Sequence, residues 1–389
     1  MTQPTHPTTR RRLMQLAAAS AALAAAALAG CGKKEDSPAP AAAPAAPAAA
    51  PAAAPLKAAW IYVGPVGSAG WSYAHDQGRQ AVAAAFGDRL QTTFIESVPE
   101  GADTERVLRD LVSQGNTLIF GTSFGFMEAM LKVAADHPEV KFEHATGYKT
   151  AANMNVYDAR FYQDTYLAGI VAGHMTQTGT LGFVGSFPIP EVLRNINAFT
   201  LGAQSVRPDV KVRVTWVNTW YDPPRETEAA QALMNGGADV LLQNTDSTAV
   251  LQAAEKAGKH AFGWDSDMSA FGGQAHLGSA IADWSHYYKK VVQDVLDGTW
   301  KGGQVTRWGV PEGQNDLIKL ADSIPAPARE KVEQIKAQMK AREFHVFTGP
   351  VIDTDGKERL PAGSTADDDW MGKIDFFVKG VEGRVPASK

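Results

Sequence analysis

An α/β fold of two Rossmann-like lobes, each built on a parallel sheet and together enclosing a ligand cleft, is predicted by three features of the sequence. Short apolar runs alternate with helical stretches of ten or more residues, a pattern that requires parallel strands covered by helices on both faces. The rhythm runs through four strands, passes a connecting helix, and restarts at Thr180-Leu181-Gly182-Phe183-Val184-Gly185. The body from Leu56 onward is about 330 residues, more than one hydrophobic core usually holds, so two lobes of ordinary size are expected.

Ahead of the body, Arg10, Arg11 and Arg12 precede an apolar run of 16 residues from Leu13 to Leu28. This is a signal peptide. It ends in Leu28-Ala29-Gly30-Cys31, which resembles a bacterial lipobox, in which the cysteine takes a diacylglyceryl group and begins the mature chain. Residues 1–31 are therefore read as leader and lipobox, with Cys31 as the lipidation site on the periplasmic side of the cell membrane. Cys31 is the only cysteine, so no disulfide can form within the chain. Thr9 to Met14 also resembles a twin-arginine signal, and the export route stays open between the general and twin-arginine pathways. Residues 32–55 form a tether, almost entirely alanine and proline from Ser37 on, with no side chains able to build a core. Loss of the leader leaves 34 basic against 42 acidic residues, a net charge of −8 that disfavours nucleic acid as a partner.

Lobe 1 is assigned to 56–160. Lys57 to Val63 reads as a buried strand, Gly64 to Gly70 as a glycine-rich turn and Tyr73 to Phe86 as a helix. Strand Thr92 to Ser97, helix Asp103 to Gln114, strand Thr117 to Phe120, helix Phe126 to Asp136 and strand Lys141 to Thr146 continue the pattern. A helix from Gln163 to Thr176 leads into 161–310, mainly lobe 2 with hinge crossings. Its units are helix Glu191 to Val206, strand Val210 to Val217, helix Pro224 to Asn235, strand Asp239 to Gln243, helix Thr248 to Ala257 and strand His260 to Gly263. Strand Ala275 to Ile281 and helix Trp284 to Leu296 follow. Within 311–389, a helix from Pro327 to Glu343 and a strand-like Phe344 to Thr348 are expected to return to lobe 1.

Ligands of open α/β sheets bind beyond the carboxyl ends of the strands, so candidate ligand residues follow strands. They are Gly67 to Ser72, Thr122 to Phe126, Gly147-Tyr148, Phe187, Asn218 to Asp222, Asn244 to Ser247 and Trp264 to Asp267. Aromatics at strand ends suit stacking on a flat ring, with carboxylates or amides reading its edge. Trp71, Ser72, Phe124, Tyr148, Trp220, Asn244, Asp246, Trp264 and Asp265 are the ligand-binding candidates, and a planar heterocycle is the expected ligand. Set against this, Asp265 could cap the following segment, Trp71, Phe124 and Trp220 could pack between lobes, and Phe126 could be helix core.

Several blocks resemble the basic membrane protein (BMP) family of solute-binding lipoproteins, which includes purine nucleoside receptors. Leu181 to Gly185 with Ile189-Pro190 and Arg194 resembles the family's second-lobe opening, and Phe199 to Pro208 its F-x-x-G-A-x-x-x-x-P stretch. Trp220-Tyr221-Asp222-Pro223 is similar to its S-F-N-D-P turn, Gly237 to Val240 to its G-A-D-V strand, and Gly263-Trp264-Asp265-Ser266-Asp267 to its G-V-D-S-D site. The likeness spans roughly Lys57 to Val310. It implies a periplasmic binding protein type I-like fold and a role as the solute-binding component of an ABC importer, partnered by a permease and its ATPase. It also implies that Asp265 holds the ligand's polar edge and Trp71 stacks on the base. Two departures bear on the ligand. Trp71-Ser72 stands where relatives carry F-N, and Ala282 stands where S-V-x-K places a lysine near a ribose. The bulkier aromatics at Trp71 and Trp264, together with the missing lysine, point to a smaller, drier cleft and a purine nucleobase, with Trp71 and Phe124 flanking the ring and Asp265, Asn244 and Asp246 on its edge. A nucleoside is the close alternative, and a sensor lipoprotein would share every feature.

An enzyme reading rests on Gly121-Thr122-Ser123-Phe124-Gly125, which fits G-x-S-x-G, with Asp265 and His286 in the order a hydrolase would need. No HGGG-type segment precedes it, and glycine-rich turns recur in any doubly wound sheet, so no enzymatic activity is expected. The histidines are scattered without metal-ligand spacing, and Gly64 to Gly70 lacks a G-K-[ST] ending, so neither a metal nor a cofactor is expected.

Overall fold

The computed structural model describes residues 54–386. The leader, Cys31 and nearly all of the tether lie outside the described residues. Among the described residues no helix is long and apolar enough to cross a membrane.

Two open sheets carry the body. The first contains β1 (Leu56–Tyr62), β2 (Leu90–Ile95), β3 (Leu118–Thr122), β4 (Lys141–Ala145), β5 (Met154–Ala159) and, from far along the chain, β11 (Val305–Trp308). Their order is β11-β5-β4-β3-β1-β2, and every neighbouring pair is parallel. Ala58 to Tyr62 are all fully buried, the unbroken apolar run that a strand covered on both faces requires. The second sheet contains β6 (Thr180–Gly185), β7 (Lys211–Trp216), β8 (Val240–Asn244), β9 (His260–Asp265), β10 (His276–Ala282), β12 (Asn315–Ile318) and β15 (Val381–Glu382). It is ordered β12-β10-β9-β8-β6-β7-β15, parallel throughout except between β10 and β12. A small antiparallel hairpin, β13 (Val351–Ile352) with β14 (Glu358–Leu360), stands apart.

Helices α1 (Trp71–Phe86), α2 (Ala102–Ser113), α3 (Met127–Asp136) and α8 (Ser285–Leu296) serve the first sheet, with α8 lying against α1. Helices α4 (Phe161–Met175), α5 (Pro190–Gln204), α6 (Pro223–Asn235) and α7 (Ala249–Lys256) serve the second. Helix α4 is apolar on nearly every side because it lies between α5, β10, β12 and α9 (Ala326–Lys340). Helix α6 begins where Asp222 accepts a hydrogen bond from the Arg225 N–H at 3.1 Å, just ahead of Pro223-Pro224. That cap fixes the loop carrying Trp220. The chain passes between sheets after β5, after β10 and after β11.

The tail differs from its expectation. It stays with the second sheet: β12 pairs with the free edge of β10, α9 packs on α4, and β15 extends β7. Phe344 to Thr348 is irregular rather than a strand, meeting other backbone through an isolated bridge from Thr348 to Thr365 while its phenylalanine side chains turn to α4. Phe344 and Phe347 lie against Tyr166 and Tyr162 of α4, with centroids 5.2 and 5.6 Å apart. A short helix, α10 (Asp368–Gly372), then meets the hinge, where Asp368 takes a paired contact from Arg160 at 2.7 and 3.2 Å.

Candidate functional site

The carboxyl ends of the two sheets face each other across a pocket of about 340 Å³, counting space open to solvent. Its lining comprises Val63, Trp71, Ser123, Phe124, Thr146, Glu191, Trp220, Asn244, Asp246, Trp264 and Asp265. Seven of the nine expected ligand residues are in that set. Ser72 and Tyr148 are not. The Ser72 hydroxyl turns back to donate to the Gly64 carbonyl at 3.2 Å, and Tyr148 is 63% exposed, reaching only the edge of Phe124 with centroids 6.2 Å apart.

Trp71 both lines the pocket and anchors its floor. As the first residue of α1 it donates its indole N–H to the Thr122 carbonyl at 2.7 Å, and its ring meets His75 edge-on at 4.3 Å. His75 in turn stacks on Trp284 at 4.4 Å, so the tryptophan rests on a fixed aromatic bed. Trp264 is buried against Phe161 at 5.5 Å, and Trp220 lies by Phe187 at 5.0 Å.

The polar groups are unusual in what they lack. Asp265 is 2% exposed and neither carboxylate oxygen has a hydrogen-bond partner, nor has the Oδ2 of Asp246. Burial, then the neighbouring Asp246, Glu191 and Asp164, raises the Asp265 pKa well above the usual carboxylate range. Burial, then Glu226, Glu191 and Glu100, does the same to Asp246. Glu191, at the first turn of α5, is raised by burial and by Asp158, against the opposing pull of Arg194. The lining contains no lysine, arginine or histidine. Such groups await donors from a ligand. Asp265 also holds φ at +63°, and with both oxygens free it caps nothing.

Asn244 is oriented by Asn195 of α5, whose amide donates to the Asn244 carbonyl oxygen at 3.0 Å and leaves the Asn244 amide N–H groups available. The pocket therefore offers acceptors on one set of side chains and a donor on another. Ala282 ends β10, buried opposite Asn315 and outside the lining.

Val63, Thr146, Glu191 and the supporting Asn195 escape the sequence reading. Glu191 is the informative miss: it follows Pro190 in the first turn of α5, past the end of β6 at Gly185. Asn195 and Asn197 are buried polar residues in mid-helix, a pattern that marks a helix face turned to a site or a partner strand.

The hydrolase arrangement does not assemble. The Ser123 hydroxyl donates to Glu100 at 2.5 Å, His286 lies on α8 beside Asp283, and Asp265 has no histidine partner. His144 stands by Ser123, but its Nε2 donates to the main-chain carbonyl at 2.8 Å, and burial lowers its pKa to about 4.

Two contacts draw the lobes together over the pocket. The Gly70 N–H donates to the Ser266 hydroxyl at 2.8 Å, and the Trp220 indole N–H donates to Glu100 at 3.2 Å. Gly70 has φ +88°, and a β-carbon there would overlap the Asp246 carbonyl, so only glycine permits this approach.

A purine-binding protein of Brucella abortus is 47% identical over 85% of this chain and 94% of its own length. A putative ABC transporter glucose-binding protein of Haloferax volcanii is 39% identical over 85% of this chain and 82% of its own. An ABC transporter solute-binding protein of Aeropyrum pernix superposes with a TM-score of 0.65 at 21% identity, over 74% of this chain and 92% of that one. One from Conexibacter woesei gives 0.61 at 21% identity, over 75% and 98%. These structures share the fold. The family model of PnrA-like ABC transporter substrate-binding proteins matches residues 56–346, and the chain therefore belongs to the Bmp family, whose members are binding proteins and not enzymes.

Proposed function

We propose that the protein captures a purine, a free nucleobase in preference to a nucleoside, between its two lobes and delivers it to an ABC permease and its ATPase. The observation that carries this reading is the set of buried, unpartnered carboxylate oxygens on Asp265 and Asp246 in an aromatic pocket without a cation. A purine presents ring and exocyclic N–H groups to carboxylates, acceptors to the Asn244 amide, and flat faces to Trp71, Phe124, Trp220 and Trp264. The purine-binding relative at 47% identity supports the same class. A phosphorylated nucleotide is disfavoured, because the lining offers no lysine, arginine or histidine to neutralise a phosphate. The absence of any lysine, arginine or histidine from the lining, rather than Ala282 itself, which lies outside it, supports the base over the nucleoside. Tethering to the membrane through Cys31 completes the proposal.

A sugar is the second reading, favoured by the glucose-binding relative at 39% identity and by the ability of aromatic faces and carboxylates to hold sugar hydroxyls. A thermal-shift screen separates them. At about a hundredfold excess over Kd a ligand stabilises by about 2.7 kcal/mol. Large shifts with hypoxanthine, adenine, guanine or xanthine, and small ones with their nucleosides and glucose, are expected. Larger shifts with nucleosides would overturn the base preference, and a shift with glucose alone would overturn the purine reading.

A further inference from the structure

We propose that Glu100 is a closure latch, a positioning residue that holds Trp220 over the pocket when the lobes come together. Its Oε1 receives three donors. The Ser123 hydroxyl at 2.5 Å and the Gly125 N–H at 3.1 Å belong to its own lobe, and the Trp220 indole at 3.2 Å belongs to the other. The first two fix the carboxylate whether or not the cleft is shut, and the third arrives only on closure. The G-x-S-x-G segment is thereby explained without catalysis. Its serine and last glycine seat the Glu100 carboxylate, and a β-carbon at 125 would run into that carboxyl group. Phe124, between them, faces the ligand pocket.

The latch reaches the ligand by two routes. Trp220 supplies part of the pocket wall, and its main-chain carbonyl accepts the Asp246 N–H at 2.9 Å. Fixing the indole therefore also fixes the segment bearing one of the unpartnered carboxylates. Charge-assisted acceptance at a desolvating rim favours the closed form, and its loss acts on the off-rate.

This inference rests on ligand capture between the lobes but not on the ligand being a purine, and the experiment has two arms. In full-length protein saturated with hypoxanthine, or with glucose if hypoxanthine does not bind, hydrogen exchange is followed in residues 218–222 and 245–247 for wild type and Glu100→Ala. Faster exchange in these second-lobe segments, from a first-lobe substitution, is expected. Unchanged exchange overturns the latch. In the second arm, hypoxanthine dissociation is timed for Glu100→Ala, for Trp220→Phe, which keeps a ring but loses the N–H, and for the pair. Each single change is expected to speed release about tenfold, and the double change no more than either alone. Effects that multiply would mean the two residues act independently and would overturn the proposal. If hypoxanthine binds no form of the protein, the purine reading fails and the exchange arm alone decides the latch.

Discussion

Replacing Asp265 by asparagine should raise the stability of the ligand-free protein while weakening capture. Asparagine preserves the shape and tolerates φ +63°, whereas alanine would add about 1–2 kcal/mol of backbone strain. Burial, followed by the nearby carboxyl groups, raises the Asp265 pKa in the fold. A carboxyl group with a higher pKa folded than unfolded holds its proton more tightly in the fold. Its contribution is complete below the unfolded value, about 3.9, and is lost as pH rises toward the folded value, at up to about 1.4 kcal/mol per pH unit. Wild-type protein without ligand should therefore melt at falling temperature as pH rises from about 4. Asp265→Asn removes one of several such groups, since Glu143, Asp158, Asp164, Glu191, Glu226 and Asp246 are raised by burial as well, and so flattens that fall only in part. With hypoxanthine present the order reverses, since a hydrogen bond to a charged acceptor is worth about 1.5–3 kcal/mol, or about 10- to 150-fold in Kd. The assay is a pH series of thermal melts with and without ligand, joined to titration calorimetry at neutral pH. Melting curves superimposable on wild type at every pH, with unchanged affinity, would refute both the buried unpaired state and the ligand contact.

Three further substitutions test the pocket and its frame. Gly70→Ala, which would collide with the Asp246 carbonyl when the lobes are closed, should weaken hypoxanthine at least about tenfold in calorimetry and also lower ligand-free stability by about 1–3 kcal/mol, because φ +88° strains alanine in either state. Trp71→Phe should keep capture within about tenfold but lower stability by about 1–3 kcal/mol through the stranded Thr122 carbonyl, and Trp71→Ala should lose about 3–5 kcal/mol and most binding, both read by denaturant titration. Asp368→Asn, which releases Arg160 at the hinge, should cost about 1 kcal/mol or less because the pair is partly exposed, and the cost should shrink at high salt.

Most of the fold was legible because its central strands are buried on both faces. β1, β3, β6, β8 and β9 read as unbroken apolar runs, and the helices between them are long and well bounded. β5 was hidden by its short link to β4, residues 146–153, too brief to contain the crossover helix that parallel neighbours usually announce. β11 and β12 are four-residue edge strands with too few apolar positions to show a period. The tail was misplaced because its hydrophobic residues serve tertiary contacts with α4 rather than a repeating element. At the site, strand ends pointed to the right loops but could not say which of two neighbours faces inward. Trp71 and Ser72 are about 100° apart on the helix, so one enters the cleft and the other turns to Gly64. Glu100 and Glu191 were passed over because loop and first-turn acids are common on any surface, and only the folded chain brings Ser123, Gly125 and Trp220 to Glu100 and buries Glu191.

The placement of β15 has a consequence for the order in which the molecule can be completed. Val381 pairs with Val212, so the outer edge of β7 stays open until residues 381–382 are available. On the opposite margin β12 must likewise arrive to cover β10. A chain halted anywhere before residue 381 would present an unpaired strand edge to other chains, the arrangement most prone to intermolecular pairing. The second lobe thus depends at its β7 margin on a pairing of very long sequence separation, between Val212 and Val381, and that margin closes only after the rest of the sheet has been made.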